Sequence, residues 1–260
     1  MNSPVVLITG ALTGIGRATA LAFARDGARV VVSGRHDDEG QKLAQELRKL
    51  GTEAEFVRTD VRHEEEVKTL VDKIIARFGR LDSAVNNAGT VGTPGSAADV
   101  TPESYQAIFD TNVLGVLLCM KYEIRAMLRQ GKGSIVNISS SYGKVGGPTA
   151  AVYVGSKHAV EGITKSAAIE LAGTGVRVNI VGPGPTEPGC STALQKRRKT
   201  KNISLRHTFL PSAWDCPKRL PMPSCSLRLT RPLTSSAHLW RWMEACSPGD
   251  SNSASKWDIS

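Results

Sequence analysis

The chain has 260 residues, of which 22% are charged and 40% hydrophobic, and its formal net charge is +9. This length fits one α/β domain with a sizeable core. An apolar segment begins almost at once, at residues 4–9, and no apolar run reaches membrane-spanning length. We therefore expect no secretory signal, no membrane span and a cytoplasmic location. The five cysteines form no C-x-x-C pair and have no accompanying histidine cluster, so neither a metal site nor a disulfide framework is indicated.

Strand-like and helix-like stretches alternate over the first 181 residues. Short apolar runs predict strands at residues 5–9, 29–33, 53–59, 81–85, 134–139 and 175–181. Helical patterns cover residues 17–26, 37–50, 63–78, 103–130 and 149–172. This alternation implies right-handed crossovers and a parallel sheet covered by helices on both faces. The predicted fold class is therefore α/β, a Rossmann-type doubly wound parallel sheet with six readable strands.

A glycine-rich turn joins the first predicted strand to the first helix. Its residues include Gly10, Thr13, Gly14, Ile15 and Gly16. Glycines let the backbone approach a pyrophosphate closely, and a helix N-terminus supplies unpaired N–H groups and a positive dipole end. The spacing matches neither G-x-G-x-x-G nor a P-loop. The turn alone is therefore only a weak indication of a phosphate site.

The second predicted strand ends in Ser33-Gly34-Arg35, where a dinucleotide fold reads the ribose. An acidic residue there would bind the 2′-hydroxyl of NAD, whereas Arg35 could pair with the 2′-phosphate of NADP. This favours NADP(H) as the cofactor and leaves NAD(H) possible. The alternative is an arginine that is merely solvated in a loop.

A tyrosine and a lysine stand four residues apart in a helical stretch, at Tyr153 and Lys157. That spacing places both side chains on one helical face. A fixed positive charge close to a phenol favours the phenolate and makes it a better proton carrier near neutral pH. Ser140, at the end of the preceding predicted strand, could hydrogen-bond a carbonyl or alcohol oxygen. By itself, Tyr-x-x-x-Lys is common on solvated helices.

Together these motifs resemble the short-chain dehydrogenase/reductase family, from Pro4 to Glu187. The resemblance selects Ser140, thirteen residues before Tyr153, over its serine neighbours, and it leaves Tyr142 without a role. It implies that Asn112 is the fourth catalytic residue and holds a water that relays protons from Lys157. Further cofactor contacts are implied for an adenine pair, a small-residue motif and a nicotinamide loop, namely Asp60, Val61, Asn87, Ala88, Gly89, Pro183, Gly184 and Thr186.

The resemblance implies hydride transfer between NADP(H) and a small carbonyl or secondary alcohol substrate, in a homo-oligomer, with Tyr153 as acid/base. One alternative is a dinucleotide-binding remnant that no longer turns over. A more distant one is nucleic-acid binding through the basic cluster at residues 196–201. We rank it last and expect no nucleic-acid partner, because no reading module accompanies this cluster.

The family pattern stops at Glu187. We therefore predict a dinucleotide-binding domain over residues 1–187 and a separate irregular tail over residues 188–260. The last strand of the family's sheet would fall in this tail, and its pattern is missing there. The tail holds 12 Lys/Arg against 4 Asp/Glu and all four Trp. It reads either as a disordered basic segment or as an out-of-frame translation. Read from the third base of each codon, Trp242-Met243-Glu244 must encode Asp-Gly, and the flanking residues permit Val before and Gly after. That is the family's Val-Asp-Gly-Gly, which favours a frameshift near Glu187.

Overall fold

A computed structural model describes residues 3–184 of the chain. Six strands are present: β1 (Val5–Thr9), β2 (Arg29–Gly34), β3 (Ala54–Arg58), β4 (Ser83–Asn86), β5 (Gly133–Ile138) and β6 (Val176–Val181). Six α-helices accompany them: α1 (Gly14–Arg25), α2 (Asp37–Arg48), α3 (Glu64–Phe78), α4 (Pro102–Phe109), α5 (Gly115–Arg129) and α6 (Ala151–Glu170). Thr186 and the predicted tail lie outside the described residues.

The six strands form one sheet in the order β3-β2-β1-β4-β5-β6, and every neighbouring pair is parallel. The chain runs outward from β1 to β3, then returns to the other side of β1 and continues through β4 to β6. This reversal between β1 and β4 leaves a crevice at the carboxyl edge of the sheet, where such folds bind ligands. The predicted doubly wound parallel sheet is thus confirmed.

Apolar side chains cover the sheet on both faces. All five residues of β1 are buried, and alternate ones enter two different clusters. Leu7 packs with residues of α3, α5 and α6, including Ile74 and Met127. Ile8 packs with residues of α1 and α2, including Leu47. Burial on both faces explains why the central strand β1 has a nearly continuous apolar sequence rather than an alternating one.

The single helix predicted over residues 103–130 is in fact divided. A π-helical turn at Asp110–Leu114 separates α4 from α5. Such turns carry an extra residue per turn and often occur at functional sites. The turn includes Asn112, whose side chain is fully buried.

No helix within residues 3–184 is long and apolar enough to cross a membrane.

Candidate active site

The carboxyl ends of β1, β4, β5 and β6 surround a cavity of about 210 Å³. Its lining brings together residues that are far apart in the sequence. They include Ile15, Asn87, Gly89, Ser140, Tyr153, Lys157, Pro183 and Gly184, all of them predicted site residues. A second cavity of about 280 Å³ lies beside Tyr153, between the loop after β4 and the start of α6. Tyr153 and Val91 line both cavities.

Helix α6 carries Tyr153 and Lys157 on the face that the 3.6-residue period predicts. The Lys157 Nζ lies 5.7 Å from the centre of the Tyr153 ring. Lys157 is only 6% exposed, and its Nζ donates a 2.9 Å hydrogen bond to the carbonyl oxygen of Ile138. Burial lowers the pKa of Lys157 from 10.5 to about 8. The charged ammonium therefore remains the main form of Lys157 at neutral pH, although its pKa lies only about one unit higher.

Ser140 begins a short 3-10 turn, Ser141–Gly143, that follows β5. Its Oγ accepts a 3.2 Å hydrogen bond from the Tyr142 backbone N–H, which leaves the hydroxyl hydrogen free to be donated elsewhere. Ser139, by contrast, is 3% exposed and donates from its Oγ to Glu161 Oε1 at 3.3 Å. Of these two neighbouring serines, Ser140 is the one with an available hydroxyl hydrogen.

Tyr142 has a packing role that the sequence did not indicate. Its ring meets the Tyr153 ring edge to face, with centroids 6.2 Å apart and planes at 82°. A Cβ at Gly147 would lie 2.7 Å from the Tyr142 ring, so the loop closes tightly over it. Tyr142, which the family resemblance left without a role, therefore helps to orient the Tyr153 ring.

Asn112 links the π turn to the loop after β4. Its Oδ1 accepts from Thr90 N at 2.8 Å, and its Nδ2 donates to Thr90 O at 2.8 Å and to Ser156 Oγ at 3.0 Å. Both amide hydrogens are thus used, and only its oxygens could accept from a water. A Cβ at Gly89 would lie 3.3 Å from Asn112 Oδ1 and 3.7 Å from Lys157 Nζ. Asn112 and Lys157 therefore flank the same small space.

The glycine-rich turn is held against the loop after β4. Gly10 has a φ of 60°, and a Cβ there would lie 2.6 Å from the Ala88 Cα, so only glycine fits. A Cβ at Gly16 would clash with the Asn87 side chain. The Asn87 Nδ2 in turn donates to the carbonyl oxygens of Thr9 and Gly10. These contacts bring the two predicted cofactor motifs together at one edge of the sheet.

Helix α1 begins at Gly14 with its N-terminus free to bind an anion. Thr13, its N-cap residue, makes no side-chain capping bond, and the first turn contains no acidic residue. Gly14 has a φ of 53°, and a Cβ there would meet nothing within 4 Å. A pyrophosphate would find unpaired N–H groups and open space here. The residues present therefore fit a dinucleotide cofactor.

Three predicted cofactor residues stand farther out, at the ends of β2 and β3. Arg35 is exposed, and within residues 3–184 its guanidinium has no hydrogen bond or ion pair. Asp60 is 8% exposed and binds the Arg62 guanidinium, with Arg62 Nη2 2.6 Å from Asp60 Oδ2. The hydrogen bond from Arg62 holds the pKa of Asp60 at about 2. Val61 is buried and packs against the side of α5.

A sequence model of a protein family, described as short chain dehydrogenase, matches residues 4–200 of this chain. The A-factor type gamma-butyrolactone 1′-reductase of Streptomyces virginiae is 47% identical over 189 residues, which are 72% of this chain and 73% of that protein. The 3beta-hydroxysteroid dehydrogenase of Mediterraneibacter gnavus is 39% identical over 186 residues, 72% of this chain and 67% of that protein.

Among solved structures, an actinorhodin polyketide ketoreductase with NADPH superimposes with a TM-score of 0.69 at 40% identity, over 74% of each chain. An NAD⁺-bound xylitol dehydrogenase gives a TM-score of 0.71 at 36% identity, over 72% of each chain. Sequence, sheet order and site geometry agree on one assignment. The chain belongs to the short-chain dehydrogenase/reductase family of NAD(P)-dependent oxidoreductases.

Proposed function

We propose that this protein transfers a hydride between NADP(H) and the carbonyl or secondary alcohol group of a small molecule. The observation that carries the proposal is the single cavity in which Tyr153, Ser140 and Lys157 meet Ile15 of the glycine-rich turn. A nicotinamide dinucleotide bound there supplies or accepts the hydride. The protein then has to position the substrate oxygen and move one proton.

In the reducing direction, the Tyr153 hydroxyl gives its proton to the carbonyl oxygen as that oxygen gains negative charge. Lys157, whose Nζ lies 5.7 Å from the ring centre, stabilises the phenolate that remains. Ser140 donates its free hydroxyl hydrogen to the same substrate oxygen and so stabilises the developing charge. Asn112 would hold a water through one of its oxygens, and that water would pass a proton by way of Lys157 to restore the Tyr153 hydroxyl; the proximity of Asn112 Oδ1 and Lys157 Nζ to the space beside Gly89 supports this role.

The preference for NADP(H) over NAD(H) rests on Arg35. Other arginines of this region, Arg17 and Arg58, are paired with carboxylates, whereas Arg35 has no partner within the described part of the chain. An unpaired guanidinium just after β2 suits a 2′-phosphate, which it can bind through two parallel hydrogen bonds. The NADPH of the ketoreductase neighbour is consistent with this preference, and the NAD⁺ of the xylitol dehydrogenase shows that the fold does not decide it.

Fluorescence titration with NADPH and NADH tests the cofactor assignment. We expect tighter binding of NADPH, and an Arg35→Asp variant should weaken it by roughly tenfold to a hundredfold, the range for a charge-assisted bidentate contact. Binding of NADH should change little. Arg129→Asp, an exposed arginine at the end of α5, controls for the charge change alone. Equal effects of the two substitutions would contradict the role of Arg35.

Reduction of small ketones with NADPH tests the chemistry. A first panel would hold cyclic ketones, because relatives include a cyclohexanol dehydrogenase and a hydroxysteroid dehydrogenase. Tyr153→Phe should lower kcat by at least about a hundredfold without changing the Kd for NADPH, while Tyr142→Phe, which keeps its ring, should retain most activity. Full activity in Tyr153→Phe would refute the mechanism.

A second candidate is a protein that binds the cofactor but turns nothing over, and the composition of residues 188–260 favours it. We propose that this segment is translated out of frame, which would replace the part that in relatives follows the nicotinamide loop. Sequencing the coding DNA decides the matter, since early stop codons in the third-base frame would exclude a frameshift. NADPH binding without reduction of any ketone would favour this candidate.

The cytoplasmic location and a homo-oligomeric state stay predictions.

A further inference from the structure

Glu161 is a buried carboxylate one turn beyond Lys157 on α6, and it is only 3% exposed. A buried charge is costly unless it is paired and hydrogen-bonded. Its oxygens meet two partners from the loop that follows β5. Oε1 accepts from Ser139 Oγ at 3.3 Å, and Oε2 lies 2.5 Å from Lys144 Nζ.

These two partners stand on either side of Ser140. Ser139 directly precedes it, and Lys144 ends the 3-10 turn that it begins. Within the turn, a Cβ at Gly143 would lie 2.6 Å from Glu161 Oε1, so the backbone is packed onto the carboxylate. One side chain of α6 therefore holds both ends of the segment that presents the Ser140 hydroxyl.

We infer that Glu161 is a positioning residue: it fixes the Ser140 turn to the helix that carries Tyr153 and Lys157, and so sets the position of the Ser140 hydroxyl relative to the Tyr153 hydroxyl. This inference rests on the proposed function. The two hydroxyls must reach one substrate oxygen together, and small displacements of such groups are costly to the rate. Because α6 carries Tyr153, Lys157 and Glu161, one helix would fix the Ser140 turn relative to the groups with which Ser140 acts.

The chain offers a matched pair of lysines with which to test this. Lys144 and Lys165 both face Glu161 Oε2, and their side chains are 63% and 64% exposed. Lys165 belongs to α6 itself, so its loss removes a charge near Glu161 without releasing the turn. Both residues lie at the surface, so their replacement by methionine leaves the core intact.

Lys144→Met should lower kcat for ketone reduction by about threefold to fivefold, the range set by an ion pair with one exposed partner, and leave the Kd for NADPH unchanged. Lys165→Met should match the parent protein in both. Glu161→Ala should lower kcat further, and Glu161→Gln should recover part of it, because the amide oxygen can still accept from Ser139. Equal kcat values for the two lysine variants, whether reduced or unchanged, would overturn the inference.

Amide hydrogen exchange gives a second readout that needs no turnover. Exchange at the backbone N–H groups of Gly143 and Lys144, which donate to Ser140 and Ser141, should accelerate in Lys144→Met and not in Lys165→Met. A protein that shows this difference but reduces no ketone would contradict the proposed function and leave the positioning of the turn supported. Unchanged exchange in Lys144→Met would refute the positioning role even in an active enzyme.

Discussion

The buried carboxyl group of Glu123 should make the folded protein lose stability as the pH rises from mildly acidic to slightly above neutral. Glu123 lies on α5 and is fully buried, and its Oε2 accepts a 2.9 Å hydrogen bond from Asn86 Nδ2. Within residues 3–184, Glu123 Oε1 and Asn86 Oδ1 are buried acceptors without a donor. Burial raises the pKa of Glu123 from 4.5 to about 7. Protonation places one O–H on the carboxyl group, so that Glu123 no longer buries a negative charge beside unpartnered acceptors.

The size of the effect follows from that displaced pKa. Between the unfolded value of 4.5 and the folded value of about 7, the folded state binds more protons than the unfolded state. The free energy of unfolding therefore falls as the pH rises through this window. At about 1.4 kcal/mol per pKa unit, the loss amounts to about 3 kcal/mol and is complete above about pH 8. Replacement of Glu123 by glutamine removes the ionisation and keeps a hydrogen-bond donor in the same place.

Urea unfolding of the parent protein and Glu123→Gln at about pH 5 and about pH 8 measures this difference. The two proteins should be of similar stability at the lower pH, and the variant should be more stable by about 2.5 kcal/mol at the higher one, because the parent loses the rest of the total below about pH 5. Asp72→Asn, which removes an exposed carboxyl from the middle of α3, should follow the parent at both. Parallel pH dependences of the parent and Glu123→Gln would refute the reasoning.

Three other predictions concern the site and its surroundings. Since burial lowers the pKa of Lys157 to about 8, the stability of the cofactor-free protein should rise as the pH increases from about 8 to about 10, and Lys157→Met should abolish both that rise and ketone reduction. Gly143→Ala, whose Cβ would lie 2.6 Å from Glu161 Oε1, should lower kcat severalfold at an unchanged Kd for NADPH. Arg62→Met should lower the free energy of unfolding by up to about 1 kcal/mol above about pH 4. This loss should disappear on acidification, because Asp60, whose pKa is about 2 in the parent, becomes protonated and no longer pairs with Arg62. Urea unfolding as a function of pH measures the difference between the two proteins.

The parts of this protein that local patterns determine could be predicted from the sequence. All six strands occur close to where they were predicted. For β1, which is buried along its whole length, the reason is that a strand covered on both faces needs a continuous apolar sequence. The placement of Tyr153 and Lys157 on one face followed from the helical period alone. The choice of Ser140 over Ser139 came from the family resemblance, and the structure adds the physical distinction, since the Ser139 hydroxyl is already donated to Glu161.

Features that depend on packing between distant elements could not be predicted in this way. The sequence over residues 103–130 has an uninterrupted helical pattern. The π turn at Asp110–Leu114 contains Asn112, whose partners on the Thr90 backbone belong to a distant loop. Glu123 and Glu161 look like solvated helical charges in the sequence. They are buried because their partners come from β4 and from the loop after β5.

Two buried charged groups on α6, Glu161 and Lys157, differ in what compensates their charge. This difference distinguishes a group that holds its neighbours in position from one that takes part in the proposed chemistry. Glu161 has a hydroxyl and two lysines around its carboxylate, so its charge is compensated and its position is fixed. Lys157 has only the neutral Ile138 carbonyl as a hydrogen-bond partner in the described residues. A buried ammonium without a counter-ion is costly, and that cost falls when an anion forms beside it. In the proposed mechanism Tyr153 is the group on which that anion forms, so proton transfer from Tyr153 would give the buried Lys157 ammonium the counter-ion that it lacks in the resting site.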